Sequence, residues 1–98
     1  MKPLDDAAVE QALSSLPEWS REGDVLVRSV RRKGFRDAVA FINAIAEEAE
    51  ARNHHPDLHL TGYRNVTIRL TTHSAGGITT NDTELAIAID ALIEAAAG

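Results

Sequence analysis

The stretch from Phe35 to Leu70 limits the possible folds more than any other part of the chain. Phe35, Ala38, Val39, Ile42, Ile45, Ala46 and Ala49 recur at steps of three and four, the spacing of a helix laid along a core. Pro56 has no backbone N–H and pushes His55 out of helical geometry. A central helix over Phe35 to Ala51 must therefore end near Arg52 or Asn53, and the period then changes. Val66, Ile68 and Leu70 alternate strictly with Thr67, Arg69 and Thr71, as in a strand with one buried and one polar face. Burying both patterns together calls for helices laid on a sheet.

The flanking segments extend this plan. Val9, Ala12, Leu13 and Leu16 lie at helical spacing between Leu4 and Leu16, with Asp5 placed to cap the first turn and Pro17 to stop the helix. Trp19-Ser20-Arg21 and Val25 to Arg32 flank Glu22-Gly23-Asp24, which reads as a first hairpin. Leu58 to Thr61 and Val66 to Thr72 flank Gly62-Tyr63-Arg64-Asn65, a second. After the Ser74-Ala75-Gly76-Gly77 loop, Thr79 can cap a last helix running to about Ala97, with Asp82 at the third helical position as in a capping box. The expected order is α-β-β-α-β-β-α, an α+β fold in which three helices cover one face of a four-stranded antiparallel sheet. The last helix carries Leu85, Ala86, Ile87, Ala88, Ile89, Leu92 and Ile93, more apolar surface than one sheet contact requires. That breadth suits either a helix-mediated oligomer or an Ala-rich buried helix.

A chain of 98 residues buries about two-thirds of its unfolded surface, enough for one core, so residues 1–98 are expected to form a single domain. Without cysteine it has no disulfide, thiolate nucleophile or thiolate metal site. The N-terminal MKPLDDAAVEQ lacks a signal-peptide pattern, and no apolar run is long enough for a membrane span; a soluble cytoplasmic protein is expected. The net charge of −5 argues against non-specific nucleic-acid binding. Six of the ten basic residues nevertheless lie between Arg21 and Arg36, and Arg28, Arg31, Arg32, Lys33 and Arg36 read as a solvated strand edge.

Three of the four histidines flank the second hairpin: His54 and His55 before it, His73 after it. Imidazole can give and take protons near neutrality, so converging histidines suit acid/base work. Neighbouring residues at a helix end point in different directions, which makes one zinc site awkward, since its ring nitrogens must converge at about 2.0–2.1 Å from the ion. The negative end of the helix dipole suits a proton donor at His54 or His55. Thr71 and Thr72 add hydroxyls beside His73. Taken singly, these residues also fit surface histidines and ordinary strand threonines. His59 alternates with Leu58 and Leu60 and belongs to the opposite strand face.

Glu50-Ala51-Arg52-Asn53-His54-His55-Pro56, then Tyr63, His73 ten residues on and Asp82 nine beyond that, resembles the signature of the pterin-4a-carbinolamine dehydratase family. The resemblance covers the whole chain and the predicted element order. It implies dehydration of 4a-hydroxytetrahydrobiopterin to quinonoid dihydrobiopterin, the recycling step after aromatic amino-acid hydroxylation. By the same resemblance His54, His55 and His73 are catalytic and contact the pterin, with Asn53, Thr71, Thr72 and Ser74 lining its site. Glu50, Pro56 and Asp82 are supporting residues, and Tyr63 belongs to the scaffold. The reduced pterin is then the substrate, with no cofactor and no metal. The resemblance also implies a homodimer or homotetramer, and an aromatic amino-acid hydroxylase as a partner. Asn53 and Ser74 stand where relatives carry acidic residues, and Leu58 stands near a family Trp. A non-catalytic pterin-binding, interaction or assembly module of the same fold is the competing reading.

Overall fold

The computed structural model describes residues 2–97. Helix α1 spans Asp6–Leu13, strand β1 Ser20–Glu22, β2 Val25–Arg31, helix α2 Phe35–Arg52, β3 Asp57–Thr61, β4 Asn65–Leu70 and helix α3 Thr80–Ala97, with one 3-10 turn over His73–Ala75. The order α-β-β-α-β-β-α is as expected, and the four strands form one antiparallel sheet in the order β1-β2-β4-β3. The two hairpins therefore abut through β2 and β4, their second strands. Asp5 caps α1 by accepting from the Ala8 N–H at 2.8 Å. The first hairpin loop is two residues, not three, because Glu22 pairs with Val25. Gly23 takes φ 60° there, the left-handed conformation that the tight hairpin turns demand.

Period-two alternation fixes which sheet face is buried. Leu26 on β2 and Val66, Ile68 and Leu70 on β4 are at most 1% exposed, and they join one core with Val9, Leu16, Phe41, Ile45, Leu85 and Ile89 from the helices. Ser29, Thr67 and His59 form a row on the other face, where the Ser29 and Thr67 hydroxyls bond to each other at 3.0 Å. Val27 is buried on that polar face too. It pairs with Arg69, whose guanidinium reaches across β2 to Glu22 on β1 at 3.2 Å, so the arginine stem covers it.

Three expectations change. On α2 the buried stripe is Ala38, Phe41, Ile45 and Ala49, whereas Phe35 is 57% and Val39 36% exposed. Two overlapping apolar stripes compete on this helix, and the winner is the one that seats the Phe41 ring in the core, capped by the Arg32 guanidinium at 4.4 Å. Second, the basic run is not a strand edge, because β2 is flanked by β1 and β4. Arg28 instead points inward and pairs with Asp90 on α3 at 2.6 Å, where the Trp19 indole N–H also donates at 2.8 Å; Arg32 pairs with Asp37 at 2.9 Å. Third, most of the broad apolar surface of α3 is used within the chain. Leu85, Ala86 and Ile89 are fully buried, Leu92 and Ile93 pack on the core, α3 lies against α2, and Ile87 alone among its large apolar side chains stands out at 56% exposure. Among the described residues no helix is long and apolar enough to cross a membrane.

Candidate active site

The end of α2 sets the geometry of the histidine pair. Asn53 adopts the left-handed conformation, φ 49° and ψ 44°, immediately after the last helical residue. Its N–H bonds to the Glu50 carbonyl at 3.2 Å, and the His54 N–H bonds back to the Ala49 carbonyl at 3.0 Å. These are the two reversed hydrogen bonds of a Schellman ending, which asparagine tolerates better than most non-glycine residues. The backbone of His54 is thus locked onto the helix it has just left. Asn53 itself is exposed at the turn, and Pro56 follows as the lead into β3.

His54 turns inward. Its Nε2 lies 2.5 Å from Oδ1 of Asp82, with the two side chains 12% and 0% exposed. Asp82 belongs to the first turn of α3, and its other oxygen, Oδ2, accepts from the Thr72 hydroxyl at 2.8 Å and from the Thr79 N–H at 2.9 Å. The second contact is the expected capping-box bond; the Thr79 hydroxyl completes the cap by accepting from the Asn81 N–H at 3.2 Å. Thr72 and Thr79 are joined through their hydroxyls at 2.8 Å, and both are buried. One carboxylate therefore ties together the end of α2, the segment that follows β4 and the start of α3.

His55 turns outward and meets Glu50 at 2.6 Å, with side chains 62% and 73% exposed. His73 follows Thr72 directly and opens the 3-10 turn that also holds Ser74; both are exposed. That turn is a short excursion pinched at its base, where Thr72 and Gly77 bridge, the Thr72 N–H donating to the Gly77 carbonyl at 3.0 Å. Gly77 has no room for a side chain: a Cβ would come within 3.0 Å of Pro3. The Thr71 and Thr72 hydroxyls go separate ways, Thr71 donating to the Asp24 carbonyl in the first hairpin loop at 2.6 Å and Thr72 to Asp82. Tyr63 lies in the second hairpin turn at φ 56°, 59% exposed, and His59 is exposed on the polar sheet face. No group of three His, Asp or Glu side chains among the described residues converges as a metal ion requires. A cavity of about 230 Å³ lies elsewhere, between Ser15 and Leu16 and the Ile87 to Glu94 part of α3.

The helix end thus presents an adjacent histidine pair, one ring anchored to a buried carboxylate, and the pinched turn after β4 presents His73; imidazoles so held can give and take protons. Residues 2–92 match the family described as Pterin 4 alpha carbinolamine dehydratase. The chain belongs to this family. A relative from Thermomicrobium roseum, provisionally named a pterin-4-alpha-carbinolamine dehydratase, is 50% identical over 86 residues, covering 88% of this chain and 91% of the relative. One from Nocardia farcinica with the same provisional name is 45% identical over 89 residues, covering 91% and 93%. Among solved structures, a transcriptional coactivator/pterin dehydratase from Brucella melitensis superposes with a TM-score of 0.86 at 30% identity, over 92% of this chain and 97% of that one. A pterin dehydratase-like RuBisCO assembly factor of the alpha-carboxysome superposes with a TM-score of 0.60 at 23% identity, over 76% and 84%, and shares the fold.

The sequence marks Asp82 as a cap and support but does not reveal its contact with His54. The signal was partly there: a capping-box carboxylate uses one oxygen for the cap, which leaves the second for another partner. Thr79 likewise reads there as a cap alone, without its bond to Thr72. That link has no sequence signal, because the two residues meet only when the Thr72–Gly77 bridge closes.

Proposed function

We propose that the protein catalyses dehydration of a 4a-hydroxytetrahydropterin, with 4a-hydroxytetrahydrobiopterin as the representative substrate, to the quinonoid dihydropterin and water. The C4a–O bond breaks, a proton is delivered to the departing hydroxyl, N5 loses its proton, and the N5–C4a double bond forms. An acid and a base flanking one ring suffice, so the reaction needs no cofactor and no metal. His54, His55 and His73 carry the proton transfers, and Asn53, Thr71, Thr72 and Ser74 lie along the pterin site, with Glu50, Pro56 and Asp82 in support. The observation that carries this reading is the His54–Asp82 pair, with Asp82 fully buried. A carboxylate behind an imidazole orients the ring and stabilises the imidazolium that forms when it takes a proton. His54 is accordingly the base for N5, and the exposed His55 and His73 serve the leaving hydroxyl and the ring.

Stopped-flow decay of the carbinolamine with and without the protein tests the proposal. Acceleration over the spontaneous rate is expected, with His54→Ala lowering turnover about 100-fold and His55→Ala and His73→Ala lowering it less. Full activity in all three variants would remove the histidines from the mechanism.

A second reading, a protein-interaction or assembly module of the same fold, draws on the exposed Phe35, Val39 and Ile87 and on the assembly role named for one structural neighbour. These side chains also suit a homodimer or homotetramer, and an aromatic amino-acid hydroxylase fits as the reaction that supplies the carbinolamine. No acceleration in the stopped-flow experiment would put the interaction reading ahead.

A further inference from the structure

We infer that Thr79 is a positioning residue for His54. Its hydroxyl is the outermost donor of a buried hydrogen-bond chain, Thr79 to Thr72 to Asp82, whose direction the Asp82 carboxylate sets and which holds the neutral His54 ring as its Nε2–H tautomer, leaving Nδ1 as the nitrogen that takes the proton. This rests on the acid/base reading of His54 given above.

The direction follows from counting hydrogens. Asp82 is fully buried and faces the Thr72 hydroxyl at 2.8 Å, the Thr79 N–H at 2.9 Å and His54 Nε2 at 2.5 Å. Two of these donate whatever the tautomer, the Thr72 hydroxyl and the Thr79 N–H, and two donors converging on one buried oxygen suit an ionised carboxylate. An ionised Asp82 can only accept, so Nε2 of His54 carries a hydrogen. The Thr72 hydroxyl has one hydrogen, and Asp82 takes it. Thr72 Oγ1 can then only accept from Thr79 Oγ1 at 2.8 Å, while Thr79 Oγ1 accepts from the Asn81 N–H at 3.2 Å. Every hydrogen in the chain then has one place. If Thr72 donated to Thr79 instead, a buried charged oxygen would lose one of its donors.

Thr79 is 1% exposed, so it acts on a bound ring only through Thr72 and Asp82. Valine keeps the branched shape and removes the hydroxyl. In Thr79→Val the Thr72 hydroxyl loses the donor that fixes its rotation, and the grip of Asp82 on Nε2 loosens with it.

The test combines long-range ¹H–¹⁵N NMR of the histidine rings with dehydration kinetics, on the full chain and its Thr79→Val and Thr79→Ser variants. At a pH where His54 is neutral, wild type and Thr79→Ser are expected to show one protonated-type nitrogen, Nε2, and one lone-pair-type nitrogen, Nδ1. Thr79→Val is expected to show intermediate shifts at both, from averaged tautomers, with kcat lowered about tenfold and KM nearly unchanged. A wild-type Nδ1–H tautomer overturns the inference, and needs no variant to fold. So does a folded Thr79→Val with the wild-type ring spectrum, or a Thr79→Ser as impaired as Thr79→Val, which would assign the effect to the methyl group. An Nε2–H tautomer that averages in Thr79→Val, in a protein that does not accelerate dehydration, would support the chain of bonds and remove the dehydratase reading.

Discussion

His54 and His55 are neighbours in sequence, and each sets Nε2 against a carboxylate, at 2.5 and 2.6 Å. Their surroundings differ in every other respect. The first pair has side chains 12% and 0% exposed, and its carboxylate is held by two further donors from other parts of the chain. The second has side chains 62% and 73% exposed, and Glu50 brings a negative charge to the negative end of α2. Distance alone therefore says little about what a pair contributes. An exposed ion pair competes with water and contributes about 0–1 kcal/mol, whereas removing a buried carboxylate leaves each donor that it held unpaired, at about 1–3 kcal/mol apiece. The chain uses one histidine to tie elements together and leaves its neighbour exposed to solvent.

The sharpest way to break this contrast is to remove the two carboxylates in turn. Asp82→Ala should lower stability by about 3 kcal/mol in urea denaturation, and Glu50→Ala by about 0.5 kcal/mol or less. Similar losses would show that burial does not separate the pairs. A smaller effect is expected at the residue that points the two histidines apart. Asn53→Val must hold a β-branched side chain in the left-handed region and should cost about 1–2 kcal/mol, while Asn53→Gly should stay close to wild type in the same assay. A well-tolerated valine would mean that the Schellman ending does not hold His54.

The smallest effect concerns Asp37, whose partners lie in one short segment. The Lys33 backbone N–H, followed by the Arg32 guanidinium, holds its carboxyl below the ordinary value of 3.8. A depressed folded-state value means that its stabilising contribution is complete above the ordinary carboxylate range and is lost as pH falls through the folded value. Denaturation midpoints should thus fall less steeply in Asp37→Asn than in wild type below about pH 4, and should differ little in slope near neutrality. An identical acid limb in both proteins would remove Asp37 from the acid response.

Local rules made much of the fold legible. Asp5 caps α1, Pro56 follows the end of α2, the alternation of Val66, Ile68 and Leu70 gives the buried face of β4, and Thr79 with Asp82 starts α3. Each depends on neighbours within about four residues, where backbone geometry and hydrogen bonding dominate. Misreadings came where the deciding partner is distant in the chain. The periodicity put Phe35 and Val39 in the core and passed over Phe41, whose stripe is the one buried against Arg32 and the sheet. Likewise, Arg28 looked like part of a solvated run, yet Asp90, 62 residues away, draws it inward.

The candidate site divides along the same line. The sequence by itself determined that a histidine pair follows a helix end, that a third histidine follows a strand, and that Asp82 stands where it can cap a helix, because spacing, proline and capping chemistry are local. Only the tertiary structure decided that His54 and not His55 turns inward, and that the spare oxygen of Asp82 meets it across 28 residues. The physical reason is that a carboxylate removed from water must fill its acceptor sites with whatever donors the packed fold brings to it, here Thr72, Thr79 and His54.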